Sequence, residues 1–268
     1  MPRARFAAGE VVRASGPPAS GPPASGHLAT GPPASGPPAS SHSADDIAQR
    51  RTFNRVQSRA AAALLASKRT AAHAYVVVVA DYTRLDNVRR TRGLTYLPFV
   101  ARAVAVALRE HPGLNATTAG DEVVQHRDVH LGVAVDLDHA GLVVPLVRDA
   151  QHRTVSGLAA CIADLADRAR TKRLQPDDVV GGTFTITNPG GYGTHCSFPI
   201  INLPQVAILS TDGVRKRVIA DPGTGAPRIV RAGYLGLAYD ARAVDPADAA
   251  RFVGRVADLI ATSDWAVQ

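Results

Sequence analysis

Little in this sequence can staple or anchor a fold from outside its core. Two cysteines among 268 residues, Cys161 and Cys196, cannot build a disulfide framework, so a reducing compartment and a cytoplasmic location are expected. No apolar run approaches the roughly 20 residues of a membrane-spanning helix, which excludes that class, and no apolar leader segment follows the N-terminus. Metal-ligand spacing is missing as well. His195 and Cys196 stand together but are too few to hold an ion, and no metal is expected. Aromatic residues make up 5% against a hydrophobic content of 46%, so the core must be aliphatic. Acidic residues are the scarcer charge, 23 against 30 Lys and Arg, leaving a net +7. A basic balance can mark a nucleic-acid partner. Here the arginines are dispersed, no basic run is interleaved with aromatics, and neither a zinc nor a helix-turn-helix pattern occurs. Solvated arginines in an alanine-rich chain account for the charge, with some available to a phosphate-bearing ligand, and no nucleic-acid partner is expected.

What is present first is a tandem repeat. Gly-Pro-Pro-Ala-Ser recurs at residues 16–20, 21–25, 31–35 and 36–40, a composition that buries no core and favours an extended spacer. The residues before it, rich in Arg and Ala and poor in acids, have a transit-peptide composition; that reading is set aside because proline repeats follow at once. Residues 1–46 are therefore expected to be a disordered linker or tail, and residues 47–268 one domain of ordinary size.

Within that domain, helical spacing of apolar residues marks 47–69, 94–109, 155–172 and 247–261. Strand composition marks 74–81, 122–125, 130–135, 141–145, 183–186, 206–210, 214–219 and 234–239. The 74–81 strand reads as buried. The 122–125 and 130–135 strands are separated by a turn, and 206–210 with 214–219 read as a strand pair. The Gly- and Pro-rich segment 221–227 is a hairpin tip leading to 228–231, and Cys161 is expected to be an inert core thiol. Alternating strands and helices predict an α/β sandwich.

Two stretches organise the rest. In residues 181–201 a strand runs into Asn188-Pro189-Gly190-Gly191, which forbids helix and supplies positive-φ positions. Its end places the Thr187 hydroxyl and loop amides where a substrate could meet them. In residues 237–251 a strand breaks at Asp240, and Asp245 and Pro246 open the final helix as N-cap and first-turn proline.

On these residues the chain resembles the catalytic domain of the dihydrolipoamide acyltransferases of 2-oxo acid dehydrogenase complexes, nearest the succinyl-transferring kind. The likeness rests on GTFTITNPG at 182–190, on PIIN with PQ and AIL at 199–209, and on Tyr239, Asp240, Arg242 and Asp245 of a Tyr-Asp-His-Arg-x-x-Asp-Gly motif. Ser67, Lys68, Thr70 and His73, the run HPGLNA at 111–116 and GLVVP at 141–145 extend it across roughly 47–260. The resemblance implies a chloramphenicol-acetyltransferase-like two-layer sandwich with a mixed sheet. It implies a trimer in which one subunit supplies the histidine motif and its neighbour the threonine loop. It also implies transfer of an acyl group, succinyl or acetyl, between dihydrolipoamide and coenzyme A, with coenzyme A as a substrate. Carried over residue by residue, Thr187 is the oxyanion donor and Asp245 the motif aspartate. Asn188 and Gly190 lie in the substrate-binding loop, Asp240 and Arg242 form a structural ion pair, and His73 is structural. No lipoylation turn occurs, so the lipoyl group is expected on another chain. The expected partners are a lipoyl-bearing subunit or domain and further copies or active relatives, in a homotrimer or mixed trimer. A tail that is polar apart from Trp265 favours a bare trimer over a cubic core.

The motif is broken in two places. Ala241 stands where the family has its catalytic histidine, and Pro246 where it has glycine. Alanine cannot carry a proton, and general-base help is typically worth about 10²–10⁴-fold. Activity is therefore expected to be weak or absent, with a catalytically silent structural or co-assembling subunit as the alternative. His195, on the same loop as Thr187, is the candidate to replace the missing base.

Overall fold

The computed structural model describes residues 51–138, 141–221 and 223–265. The repeat segment 1–46, expected to be disordered, and the first residues of the helix expected from 47 lie outside them. The chain divides into two compact units, residues 1–51 and 52–268, and the second holds every element described. It begins α1 (Arg55–Thr70), β1 (His73–Asp81), α2 (Thr83–Thr91), α3 (Leu97–Glu110), β2 (Ala116–Ala119), β3 (Glu122–Gln125), β4 (Leu131–Val133) and β5 (Val135–Asp136). It continues β6 (Leu142–Val143), β7 (Leu146–Val147), α4 (Val155–Arg170), β8 (Phe184–Thr187), β9 (Ala207–Thr211), β10 (Arg215–Ala220), β11 (Pro227–Asp240) and α5 (Pro246–Thr262).

The main sheet runs β1-β11-β9-β8-β4-β7, with β10 also on β11. It is mixed: β4–β8 and β8–β9 pair in parallel and the other neighbours antiparallel. Side chains alternate across a strand, so β11 sends Leu235, Leu237 and Tyr239 into the main core with Leu209 and Ile186, where they join Phe99 of α3 and Phe252 of α5. The opposite face carries Ile208 and Ala238, which pack with Ala71 and Ile201 in a second small cluster. Trp265 is 2% exposed, stands edge-on to Phe99 at 5.5 Å and donates from Nε1 to Ile260 O at 3.1 Å. It is thus a core residue and no free apolar anchor.

Several expected elements shift, each for a local reason. α1 starts at Arg55 because Asn54 caps it: the Gln57 N–H donates to Asn54 Oδ1 at 2.8 Å and the Asn54 N–H to Gln57 Oε1 at 3.2 Å, a capping box. β1 is an edge strand and only half buried, with Val76 and Val78 inward and Tyr75, Val77 and Val79 exposed. β3 folds back on β2 and does not meet the strand that follows it, which joins β7 and β8 as β4. Residues 206–210 and 214–219 do not pair with each other either. As β9 and β10 they pair with successive stretches of β11, which absorbs 228–231 and reaches 14 residues. α2 was not expected, since its sequence TRLDNVRRT offers so few apolar residues. It buries Leu85 and the Asp86 carboxylate, which gathers Arg89, Arg90, Arg231 and the Tyr96 hydroxyl.

Candidate active site

Thr187 is the last residue of β8 and half buried. Its hydroxyl makes no hydrogen bond among the described residues, whereas the neighbouring Thr185 hydroxyl is committed to Gln205 Oε1 at 2.6 Å. Both threonines line a half-open cavity of about 440 Å³ between α1 and the segment 199–203. Ala60 and Leu64 of α1, Leu142, Val144, Ile201 and Leu203 form much of its wall, and Asn202 adds an amide. Among the described residues no charged or histidine side chain lines it.

The loop after Thr187 turns differently from the expectation. Residues Pro189–Tyr192 make a 3₁₀ turn capped by Asn188, whose side chain accepts the Gly190 N–H at 3.2 Å. Positive φ falls at Gly193, +80°, and not at Gly190 or Gly191. Gly190 is needed for close approach instead. A Cβ there would meet the Asp212 carbonyl carbon at 2.9 Å and the Gly213 nitrogen at 3.0 Å. Asn188 and Gly190 thus shape the loop.

Asp212, which sequence reasoning missed, ties that loop to the sheet. It sits between β9 and β10, 2% exposed. Its carboxylate accepts from the hydroxyls of Thr194, Ser197 and Ser210 at 2.5, 2.7 and 2.7 Å and from the Ser197 N–H at 3.1 Å. The signal was an acid flanked by an apolar strand and a glycine, which reads as an ordinary turn. His195 lies on this loop, exposed, without a partner among the described residues and outside the cavity lining. The Cys196 thiol is pushed up by partial burial and by Asp212, which makes it a poorer nucleophile. Burial raises the half-buried Cys161 thiol likewise.

The second stretch forms as expected. Asp240 is buried at the end of β11, and Arg242 Nη2 reaches its Oδ2 at 2.6 Å. The N–H groups of Ala72 and Arg242 each donate to Oδ1 at 3.1 Å. Burial alone would raise this carboxyl, but the guanidinium and the two N–H groups outweigh it and hold it below the usual range. Ala241 is exposed, its N–H fixed to Ala72 O at 2.9 Å. Asp245 caps α5, accepting from Ala247 N at 2.8 Å and Asp248 N at 3.3 Å, with Pro246 in the first turn. His73, opposite Asp240 in the β1–β11 register, donates from Nδ1 to Ala71 O and accepts at Nε2 from Ile201 N, both at 3.1 Å. That bonding commits both ring nitrogens to the backbone and makes the ring structural.

Thr187 and the segment 241–245 do not meet within one chain. Thr187 pairs with Ser210 and Ser210 with Gly236, five residues before Ala241. At roughly 3.4 Å per residue they are about 17 Å apart along the strand direction alone. Among the described residues no group of three His, Cys, Asp or Glu could hold a metal ion.

The α/β sandwich with its mixed sheet has the fold of chloramphenicol acetyltransferase. The two superpose with a TM-score of 0.50 at 10% identity, over 74% of this chain and 94% of that enzyme. The family is narrower. The family model described as "2-oxoacid dehydrogenases acyltransferase (catalytic domain)" matches residues 46–266, and the chain belongs to that family. It is 40% identical over 199 residues to the dihydrolipoyllysine-residue acetyltransferase component of the pyruvate dehydrogenase complex of Corynebacterium glutamicum, covering 69% of this chain and 29% of that protein. It is 37% identical over 191 residues to the succinyltransferase component of the 2-oxoglutarate dehydrogenase complex of Bacillus subtilis, covering 67% and 45%. The chain thus spans 29% to 45% of the length of these relatives. A solved structure of the Azotobacter vinelandii dihydrolipoamide acetyltransferase, studied for the catalytic roles of a serine, a histidine and an asparagine, matches with a TM-score of 0.76 at 32% identity, over 80% of this chain and 91% of that one.

Proposed function

We propose that the chain is an acyl-transfer core of a 2-oxo acid dehydrogenase complex, moving an acyl group between a dihydrolipoyl thiol and the thiol of coenzyme A, and that it does so slowly. The observation that carries this reading is the uncommitted Thr187 hydroxyl facing an apolar cavity. A dihydrolipoyl thiolate adds to the thioester carbonyl, the bond to the coenzyme A sulfur breaks, and the departing thiolate takes up a proton. Thr187 donates to the oxygen on which charge develops, in surroundings dry enough to strengthen that bond.

What is missing is the proton acceptor. The histidine and asparagine studied in the Azotobacter enzyme stand at the spacing of Ala241 and Asp245, which supports Ala241 as the vacated base position. His73 beside it is bonded through both ring nitrogens, and His195 lies off the cavity. The reaction then depends on the small fraction of thiol ionised in solution. Asp245 and the Asp240–Arg242 pair hold the strand end and the start of α5. The separation of Thr187 from Ala241 fits a trimer whose sites are shared between neighbours, with the lipoyl group delivered by another chain. The exposed methyl group at 241 also favours a second reading: a subunit silent on its own account that lends its Thr187 loop to a neighbour with an intact histidine.

A thioester-exchange assay between acyl-CoA and dihydrolipoamide, run with a mass measurement of the assembly, tests both. The first reading expects a trimer with slow exchange, reduced about 10²–10³-fold in Thr187→Val. The second expects exchange only in mixed trimers with a histidine-bearing relative. A monomer with no exchange in either setting rejects both.

A further inference from the structure

The buried Asp212 carboxylate has its acceptor capacity filled. The Thr194 and Ser197 hydroxyls donate to Oδ1, and the Ser197 N–H and the Ser210 hydroxyl donate to Oδ2. An ionised carboxylate offers about four lone-pair sites, and four donors occupy them. No cation is among these partners, so the hydrogen bonds alone offset the loss of hydration. Bonds to a charged acceptor are also the stronger kind.

Three of the four come from the loop that leaves Thr187. The fourth comes from Ser210, which stands opposite Thr187 in the β8–β9 ladder. Thr187, its loop, Asp212 and Ser210 therefore close a ring. Thr187 ends β8, so the strand holds it from one side, and the course of the chain beyond it depends on that ring. The loop lies tight on the sheet: Gly190 rests on the Asp212 backbone, and a Cβ on Gly236 would stand 2.8 Å from Ser197 O. Every group in the ring belongs to one chain, so a neighbouring subunit is not needed to complete it.

Resting on the acyl-transfer reading above, we infer that Asp212 is a positioning residue for the reaction, setting through the loop the direction in which the Thr187 hydroxyl points. It touches no substrate itself. A misplacement on the order of 1 Å can cost about 10²-fold in rate, so the effect falls on turnover rather than on binding.

The test combines thioester exchange by the full chain, alone and in mixed trimers with a histidine-bearing relative, with amide hydrogen exchange across residues 188–198. Asp212→Asn keeps the shape and offers about two acceptor sites in place of four. It should lower kcat about 10- to 10²-fold, change KM for acyl-CoA less than about twofold, and speed exchange of the Ser197 amide. Thr194→Val removes one loop donor, leaves the carboxylate in place, and should give the same pattern more weakly. Thr194→Ser keeps the hydroxyl and should restore both readouts. An undiminished kcat in a variant whose loop exchanges faster overturns the inference and leaves acyl transfer intact, as does a loop whose exchange neither variant alters. No thioester exchange by the unaltered protein in either setting removes the acyl-transfer reading, and this role for Asp212 with it.

Discussion

His73 Nε2 accepts the backbone N–H of Ile201 at 3.1 Å, joining residues 128 positions apart in the sequence. The same carbonyl-side segment is held from α1, where the Ser67 hydroxyl donates to Ile201 O at 2.7 Å. Ile201 lines the cavity, so this histidine shapes the wall. His73→Ala leaves the Ile201 N–H without a partner, and the usual cost of such a group is about 1–3 kcal/mol. Urea unfolding should show that loss. An unchanged midpoint would mean that the wall does not depend on the ring.

Restoring the missing base is the direct probe of weakness at position 241. The residue is exposed and its backbone is fixed to Ala72 O, so an imidazole can be added without repacking. Ala241→His should raise the exchange rate by a factor between about 10² and 10⁴ and introduce an acidic limb in the pH–rate profile, where protonation of the imidazole removes the base. Ala241→Gln, similar in bulk and without a titrating nitrogen, should give no gain. A rate in the unaltered protein equal to that of a histidine-bearing relative would show that another base is at work.

Acid should expose the contribution of Asp240. Its carboxyl is held below the usual range in the folded chain, so below the ordinary carboxylate pKa the unfolded state binds more protons than the folded one. The stabilisation is present at neutral pH and lost as pH falls through the lowered folded value. Arg242→Met removes the strongest of the bonds that lower it. The acid-unfolding midpoint, followed by circular dichroism, should move to higher pH. A midpoint that stays put would show that the backbone donors suffice.

Two adjacent glycines should behave in opposite ways. A Cβ on Gly190 meets the Asp212 backbone at 2.9 Å, whereas one on Gly191 meets nothing within 4 Å. Gly190→Ala should cost on the order of 1–3 kcal/mol, the range for forced repacking, and Gly191→Ala close to nothing. Thermal melts of the pair decide it. Equal melts would mean that the loop gives way freely against the strand break.

Much of this was legible because periodicity and capping are local. The Asp245 cap with Pro246 in the first turn of α5 follows from neighbours within a few residues, whereas the Asp240–Arg242 pair came from the family resemblance. What escaped was set at a distance. The half-exposure of β1 depends on its place at the sheet edge, which a run of valines does not reveal. β9 and β10 looked like partners because they are close in sequence, yet both answer to β11. The bend at 188–191 was read as positive-φ glycine when the real demand was clearance from Asp212. Asp86 and Asp212, both buried, went unnoticed because Tyr96 and Arg231 reach the first from other elements and Thr194 and Ser197 reach the second across a loop.

The edge position of β1 has a practical consequence for handling the protein. Its outer rim has no strand partner among the described residues, and its exposed face carries Tyr75, Val77 and Val79. A bare rim bearing a valine-rich ribbon is a template for stacking foreign strands. Dilution that dissociates any native assembly should therefore shorten shelf life rather than lengthen it. Val77→Lys, a gatekeeper charge on that ribbon, should suppress turbidity on storage, and an unaltered rate of clouding would locate the hazard elsewhere.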